Sequence, residues 1–400
     1  MRILHTFLHL VLLFICCFTV FAQSSYVGTM SVDDKNSLKY KATEVLFQKK
    51  TDFFNINDTN ISEQIRVDFN NGRISEKCFS ILLNALAEIN KKELFLAEEH
   101  LQDALLLNPD YHNIYMLLSV VNYDLGNYEL VLSYCNNFID LKGFNPTIYL
   151  IKAYAYFSLK DNSGCLQFLK KYIQYVPNDA IVLLNIAILE IIERNPKRAL
   201  FYAQKAKRSS PDNHQVFKVI ADSYFRLKNY DQARENYLIA ISKNPKDITS
   251  LINIAGVFYE QNDNQQSLIY LNKALDIDPS NHTIFYNIAN IYKRQKDYDF
   301  AFRNFKKALN LNPDDILTII NLGFCSLSLS NPSEAVTYFN KAIEINPGMT
   351  ESYEGLGFAY LKLNDYIKAK NNFQKAQYLY MLSKDITKSQ EMGYFIDLIK

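Results

Sequence analysis

The sequence predicts an all-α protein built as a linear array of helical hairpins, and three observations predict it. Seven of its ten prolines, Pro109, Pro177, Pro211, Pro245, Pro279, Pro313 and Pro347, recur every 34 residues with one double step of 68. Proline fixes φ and lacks an N–H, so it marks places where a helix cannot continue. Counting repeats from residues 78, 112, 146, 180, 214, 248, 282, 316 and 350 sets these prolines at position 32. The second observation is then position 8, small in every repeat: Ala85, Ser119, Ala153, Ala187, Ala221, Ala255, Ala289, Gly323 and Gly357. The third is position 20, again small or slim, from Ala97 and Val131 through Cys165 and Ser267 to Ala369. Helices approach closely only where small side chains face each other at the crossing. Larger residues at position 24, such as Tyr237, Leu271, Phe305, Phe339 and Phe373, fill the space beside it.

The elements follow in chain order. Residues 1–22 read as a signal peptide: Arg2, an apolar stretch from Leu10 to Phe21, and Val20-Phe21-Ala22 before Gln23, with cleavage expected after Ala22. The competing reading is an uncleaved anchor, since Ile3 to Ala22 is about long enough to span a bilayer. Residues 23–77 do not fit the period and read as an N-terminal capping segment, with a helix from Ser37 to Lys50, a turn at Asn57–Asn60 and a short helix from Ser62. Residues 78–383 are the array. Inside each repeat a polar turn separates two helices, as in Lys228-Asn229-Tyr230 and Asn364-Asp365-Tyr366. Between repeats stands Asn-Pro, as in Asn244-Pro245 and Asn312-Pro313. The residue before proline is driven out of the α region, which ends each second helix there. Gly143 replaces the proline of the second repeat, and a local bend is expected after it. Residues 384–400 carry Ile386, Phe395, Ile396 and Ile399 among charges and read as a C-terminal capping helix, because a terminal repeat needs its apolar face covered.

The motif Leu-x-x-Ile-Ala-x-x-[Phe/Tyr], then Ala, an aromatic, Ala-[Leu/Ile] and Asn-Pro resembles the tetratricopeptide repeat over roughly residues 78–382. Two departures from the family pattern stand out: no tryptophan at position 4, where Tyr, Phe, Leu or Ile stand instead, and Gly143 in place of proline in the second repeat, whose second helix is looser. The resemblance implies a right-handed α-solenoid of about nine repeats. It also implies a non-catalytic scaffold whose first helices line a concave groove that receives a protein or an extended peptide.

On that groove, position 6 reads Asn185, Asn253, Asn287 and Asn321, interrupted by Val219. An amide both donates and accepts, so a column of them can pair with the backbone of an extended peptide whatever its side chains. The column is similar to the ladder in the groove of the O-linked N-acetylglucosamine transferase superhelix. Lys218, Tyr154, Ile188 and Phe324 complete the candidate set, with apolar residues at both ends of the array and polar ones between. Lys218 and Asn253 fit the carboxylate clamp of chaperone-binding relatives, but Asp222, Thr283 and Asn287 do not, which disfavours an acidic C-terminus as ligand.

Catalysis, metals and cofactors find no support in the sequence. His112, His214 and His282 share position 1, yet stacking separates them too far to share an ion. Cys78, Cys135, Cys165 and Cys325 have neither metal-ligand nor disulfide spacing, and they read as small core thiols, with a Cys135–Cys165 bridge left open. With 43 Lys+Arg against 42 Asp+Glu, net charge gives no case for nucleic acid. The expectation is an exported adaptor, periplasmic, envelope-associated or secreted, within an envelope assembly or secretion complex. A self-associating structural subunit and a membrane-anchored adaptor are the alternatives.

Overall fold

The computed structural model describes residues 61–399, so the expected signal peptide and the helix and turn expected before residue 61 lie outside the described residues. Among the described residues there are twenty α-helices and no strand. They fall into two compact units. The N-terminal unit, 61–243, holds α1 (residues 61–70), α2 (Glu76–Lys91), α3 (Leu94–Leu107), α4 (His112–Leu125), α5 (Tyr128–Asp140), α6 (Thr147–Ser158), α7 (Asn162–Tyr175), α8 (Ala180–Ile192), α9 (Pro196–Ser209), α10 (His214–Arg226) and α11 (Tyr230–Lys243). The C-terminal unit, 244–399, holds α12 (Ile248–Glu260), α13 (Asn264–Ile277), α14 (His282–Arg294), α15 (Tyr298–Leu311), α16 (Ile316–Ser328), α17 (Pro332–Ile345), α18 (Thr350–Lys362), α19 (Tyr366–Leu382) and α20 (Ile386–Leu398).

Every hairpin turns by the same local device. The residue at position 15 adopts the left-handed conformation: Lys92, Gly126, Lys160, Arg194, Lys228, Asn262, Lys296, Ser330 and Asn364, with φ between 60° and 86°. The next N–H, at position 16, then reaches back to the carbonyl at position 11, over 2.7 Å from Asn195 to Glu190 and 3.0 Å from Asp297 to Tyr292. This satisfies a carbonyl that the helix end would leave orphaned. The same position-16 residue starts the second helix. Asp161, Asp263, Asp297 and Asp365 each accept a hydrogen bond from the backbone N–H three residues on, the N-cap interaction.

The links between repeats obey the proline. Asn312 and Asn346, each before a proline, have φ of −136° and −142°, extended values outside the helix, and their N–H groups close the last turn on Ala308 and Ala342. The link after α5 is different. It runs through residues 141–146, contains Lys142 at φ 58°, and carries Gly143. Phe138 occupies position 27 of that repeat, where most repeats have alanine, and its ring is fully buried. A Cβ at residue 143 would stand 2.7 Å from that ring and 2.9 Å from His112, so the large side chain and the missing one belong together.

Within each unit, hairpins stack so that successive first helices also touch, α4 on α6 and α8 on α10 in one, α16 on α18 in the other. The core is the small-residue seam with aromatic plugs: Phe305, Phe339 and Phe373 are fully buried, each over alanines or glycines of its own repeat. Helix α20 closes the C-terminal unit. Phe395 sets its ring 5.0 Å from Phe358 and 5.3 Å from Phe373, and Met392 is fully buried beside them. Beneath α20 lies buried Glu354, which accepts from the Tyr380 hydroxyl at 2.6 Å and from Lys388 Nζ at 3.3 Å.

Candidate functional site

First helices carry the candidate groove residues, and each unit has its own stretch of them. In the N-terminal unit α6 presents Tyr154, α8 presents Asn185 and Ile188, and α10 presents Lys218. Their exposures are 3%, 1%, 4% and 5%, so they sit inside the packing and not on open surface. Contact between α8 and α10 is the physical reason for Asn185, Ile188 and Lys218, and it buries Leu184 and Ile191 as well, whereas Tyr154 packs with Leu169, Val182 and Ile186. Asn185 is unusual among them. Both its amide atoms are buried without a hydrogen-bond partner, an arrangement that costs about 1–3 kcal/mol.

In the C-terminal unit Asn253 on α12 and Asn287 on α14 are half-buried, and Asn321 on α16 is buried. Asn321 is held by the scaffold at both ends of its amide. Its Nδ2 donates to the Leu317 carbonyl at 2.9 Å, and its Oδ1 accepts from Lys293 Nζ at 2.7 Å. Burial holds the Lys293 ammonium below the usual lysine range, which makes the Asn321 acceptor the more important to it. Tyr286, 3.4 Å from Asn321 Nδ2, has its phenol pushed up to about 12 by burial. Phe324 is half-buried and meets Phe339 edge to face at 5.0 Å. Both members of the Lys293–Asn321 pair stand in the sequence on the groove side of their helices. What the repeat period did not reveal is that position 12 of one repeat meets position 6 of the next.

All four described cysteines are buried free thiols, and burial pushes Cys135 and Cys325 up to about 12. Thiols so shielded are poor nucleophiles. Asp222 is fully buried and accepts from the Tyr237 hydroxyl. Among the described residues no helix is long and apolar enough to cross a membrane.

Stacked helical hairpins of one period, with amides on the first-helix face, define a helical-repeat scaffold. Three family models, each described as tetratricopeptide repeat, match residues 219–282, 283–315, and 318–349 with 350–380. The matched repeats, within residues 219–380, belong to the tetratricopeptide-repeat family. Similar folds include the APC/C hetero-tetramer Cut9–Hcn1, at 14% identity and a TM-score of 0.51, covering 77% of this chain and 59% of that one. A tetratricopeptide repeat protein from Parabacteroides merdae matches at 16% identity and a TM-score of 0.50, covering 64% of this chain and 98% of that one. At these identities the likeness is one of fold. Repeats of this family are typically non-catalytic, and they make the chain a scaffold for protein–protein interaction.

Proposed function

We propose that the chain is a non-catalytic adaptor that binds an extended peptide segment across the first helices of its C-terminal unit. The observation that supports this reading is the pair Asn253 and Asn287. They are amides one repeat apart, at the same position of consecutive first helices, both half-buried. Asn287 makes no side-chain hydrogen bond among the described residues, so its donor and acceptor are available to a peptide backbone. Each such bond contributes about 0.5–1.5 kcal/mol net. Asn321, already bonded to Lys293, serves the end of the column by keeping that lysine in place.

The test selects peptides from a displayed random library on the wild-type protein and measures their affinity for the double variant Asn253→Ala/Asn287→Ala. About tenfold weaker binding is expected, the sum of two such bonds. Unchanged affinity in a folded double variant would sink the amide reading. The mature protein is proposed to act after export, on the strength of Arg2, the apolar stretch and Val20-Phe21-Ala22. N-terminal sequencing should then begin at Gln23, and a membrane-bound form beginning at Met1 would favour the anchored adaptor instead.

A further inference from the structure

The near-neutral charge of the chain hides one strongly polarised helix. Helix α9 carries Lys197, Arg198, Lys205, Lys207 and Arg208 and no acidic residue. Two of these cations stand in its first turn, where the helix dipole disfavours positive charge. Other second helices place acids there: Asp231 in α11, Asp299 in α15, Glu334 in α17. Helix stability therefore does not account for Lys197 and Arg198.

Those two residues face a cleft of about 500 Å³ between α7 and α9, lined by Lys170, Lys197, Arg198, Phe201 and Tyr202. Lys170 donates to buried Glu190 at 2.6 Å, which fixes it as a neutralised wall. Lys197 and Arg198 are exposed and have no acidic partner among the described residues. Phe201 is 52% exposed, with Tyr202 edge-on at 5.2 Å and the Lys205 ammonium 4.6 Å from its ring. A half-exposed aromatic between unpaired cations, in a concave setting, is the composition of an interaction hot spot.

We propose that this cleft is a second binding site, separate from the first-helix groove, that takes an acidic segment of a partner protein carrying an apolar side chain beside its carboxylates. Arg198 would hold one carboxylate through paired N–H donors, and Lys197 a second as a point charge. The apolar side chain would lie on Phe201. Charge complementarity selects an acidic ligand, and the size of the site selects a short segment. A membrane surface is read by about four to eight clustered cations, and nucleic-acid affinity is built from many phosphate contacts. Of the five cations on α9 only Lys197 and Arg198 line the cleft, and two such cations beside an exposed aromatic suit a short acidic segment better than either surface.

The test uses the full chain and a fluorescein-labelled peptide alternating glutamate with leucine and phenylalanine, followed by fluorescence polarisation. Controls are the glutamine version of the peptide, phosphatidylserine vesicles and a single-stranded oligonucleotide. The variants are Lys197→Glu/Arg198→Glu and Phe201→Ala, with Lys197→Gln/Arg198→Gln as a milder form should charge reversal disturb the fold. The acidic peptide should bind the wild type, bind the charge variants about tenfold or more weakly, and weaken as salt is raised. Asn253→Ala/Asn287→Ala should leave it unaffected, which separates this site from the groove. The proposal is overturned by equal binding to wild type and charge variants, by equal binding of the glutamine peptide, by no binding to the wild type, or by tighter binding of vesicles or oligonucleotide.

Discussion

Phe339 stands between two residues that have no side chain. A Cβ at Gly355 would lie 2.2 Å from its ring and one at Gly323 2.6 Å from it. Gly355→Ala is expected to destabilise the C-terminal unit by about 1–3 kcal/mol, the cost of overpacking, measured as a lowered urea midpoint. Phe339→Leu in the same background should recover part of the loss. The same contact explains why the asparagine column stops: position 6 of the last repeat is Gly355, and the ring fills the space an amide would need. His100 offers a second test. Its Nδ1 is 2.8 Å from Glu88 Oε2, and that hydrogen bond, with the charges of Glu88, Glu99 and Asp103, raises the imidazole above its usual 6.5. A raised folded pKa stabilises fully below the unfolded value and is lost as pH rises through the folded value. Melting temperature should therefore fall more steeply from about pH 6 to about pH 8 in wild type than in His100→Gln. Equal slopes would remove His100 from the account.

At the scale of helices and turns, the sequence made the ends of second helices plain, because proline dictates them. The hairpin turns were legible as polar stretches only. Their key residue, at position 15, is left-handed in all nine repeats, yet only Gly126 among the nine is glycine. Lysine, arginine, serine and asparagine fill the rest, so no composition signal marks the conformation. The backbone bond from position 16 to position 11 imposes it. A left-handed non-glycine residue costs about 1 kcal/mol, and Lys228→Gly should return most of that as a higher denaturant midpoint. A lower midpoint would show that the lysine stem contributes more than its strain. Burial of Tyr154, Ile188 and Lys218 was likewise beyond the sequence. Period and polarity assign a residue to the first-helix face, but only the approach of the neighbouring first helix decides whether that face is open.

For the molecule as a whole, composition averages away what matters. Balanced totals of 43 basic and 42 acidic residues conceal the cationic α9, whose charge can be read only after helix boundaries are known. The sequence places apolar residues after the array without its period, and there α20 packs Met392 and Phe395 against α18 and α19. In a stacked array each repeat leans on its neighbours, so damage at an end should spread inward and fade. Phe395→Ala removes the ring that seals Phe358 and Phe373 and should cost about 3–5 kcal/mol. Amide exchange is expected to accelerate in α18, α19 and α20, less in α16 and least in α12. Uniform acceleration across residues 244–399 would mean that this unit opens all at once.

The position-16 residue has one more consequence. Because it ends one helix and begins the next through bonds spanning no more than six residues, each hairpin contains its own punctuation. Removing residues 282–315 would join Asn281 to Ile316 and leave every remaining turn, cap and Asn-Pro junction intact. Removing one residue fewer would lengthen that junction by a residue and break the 34-residue step there. Such a chain can change its length over generations only in whole steps, so its reach is set by counting repeats, while its preferences are written in the few side chains that the count leaves free.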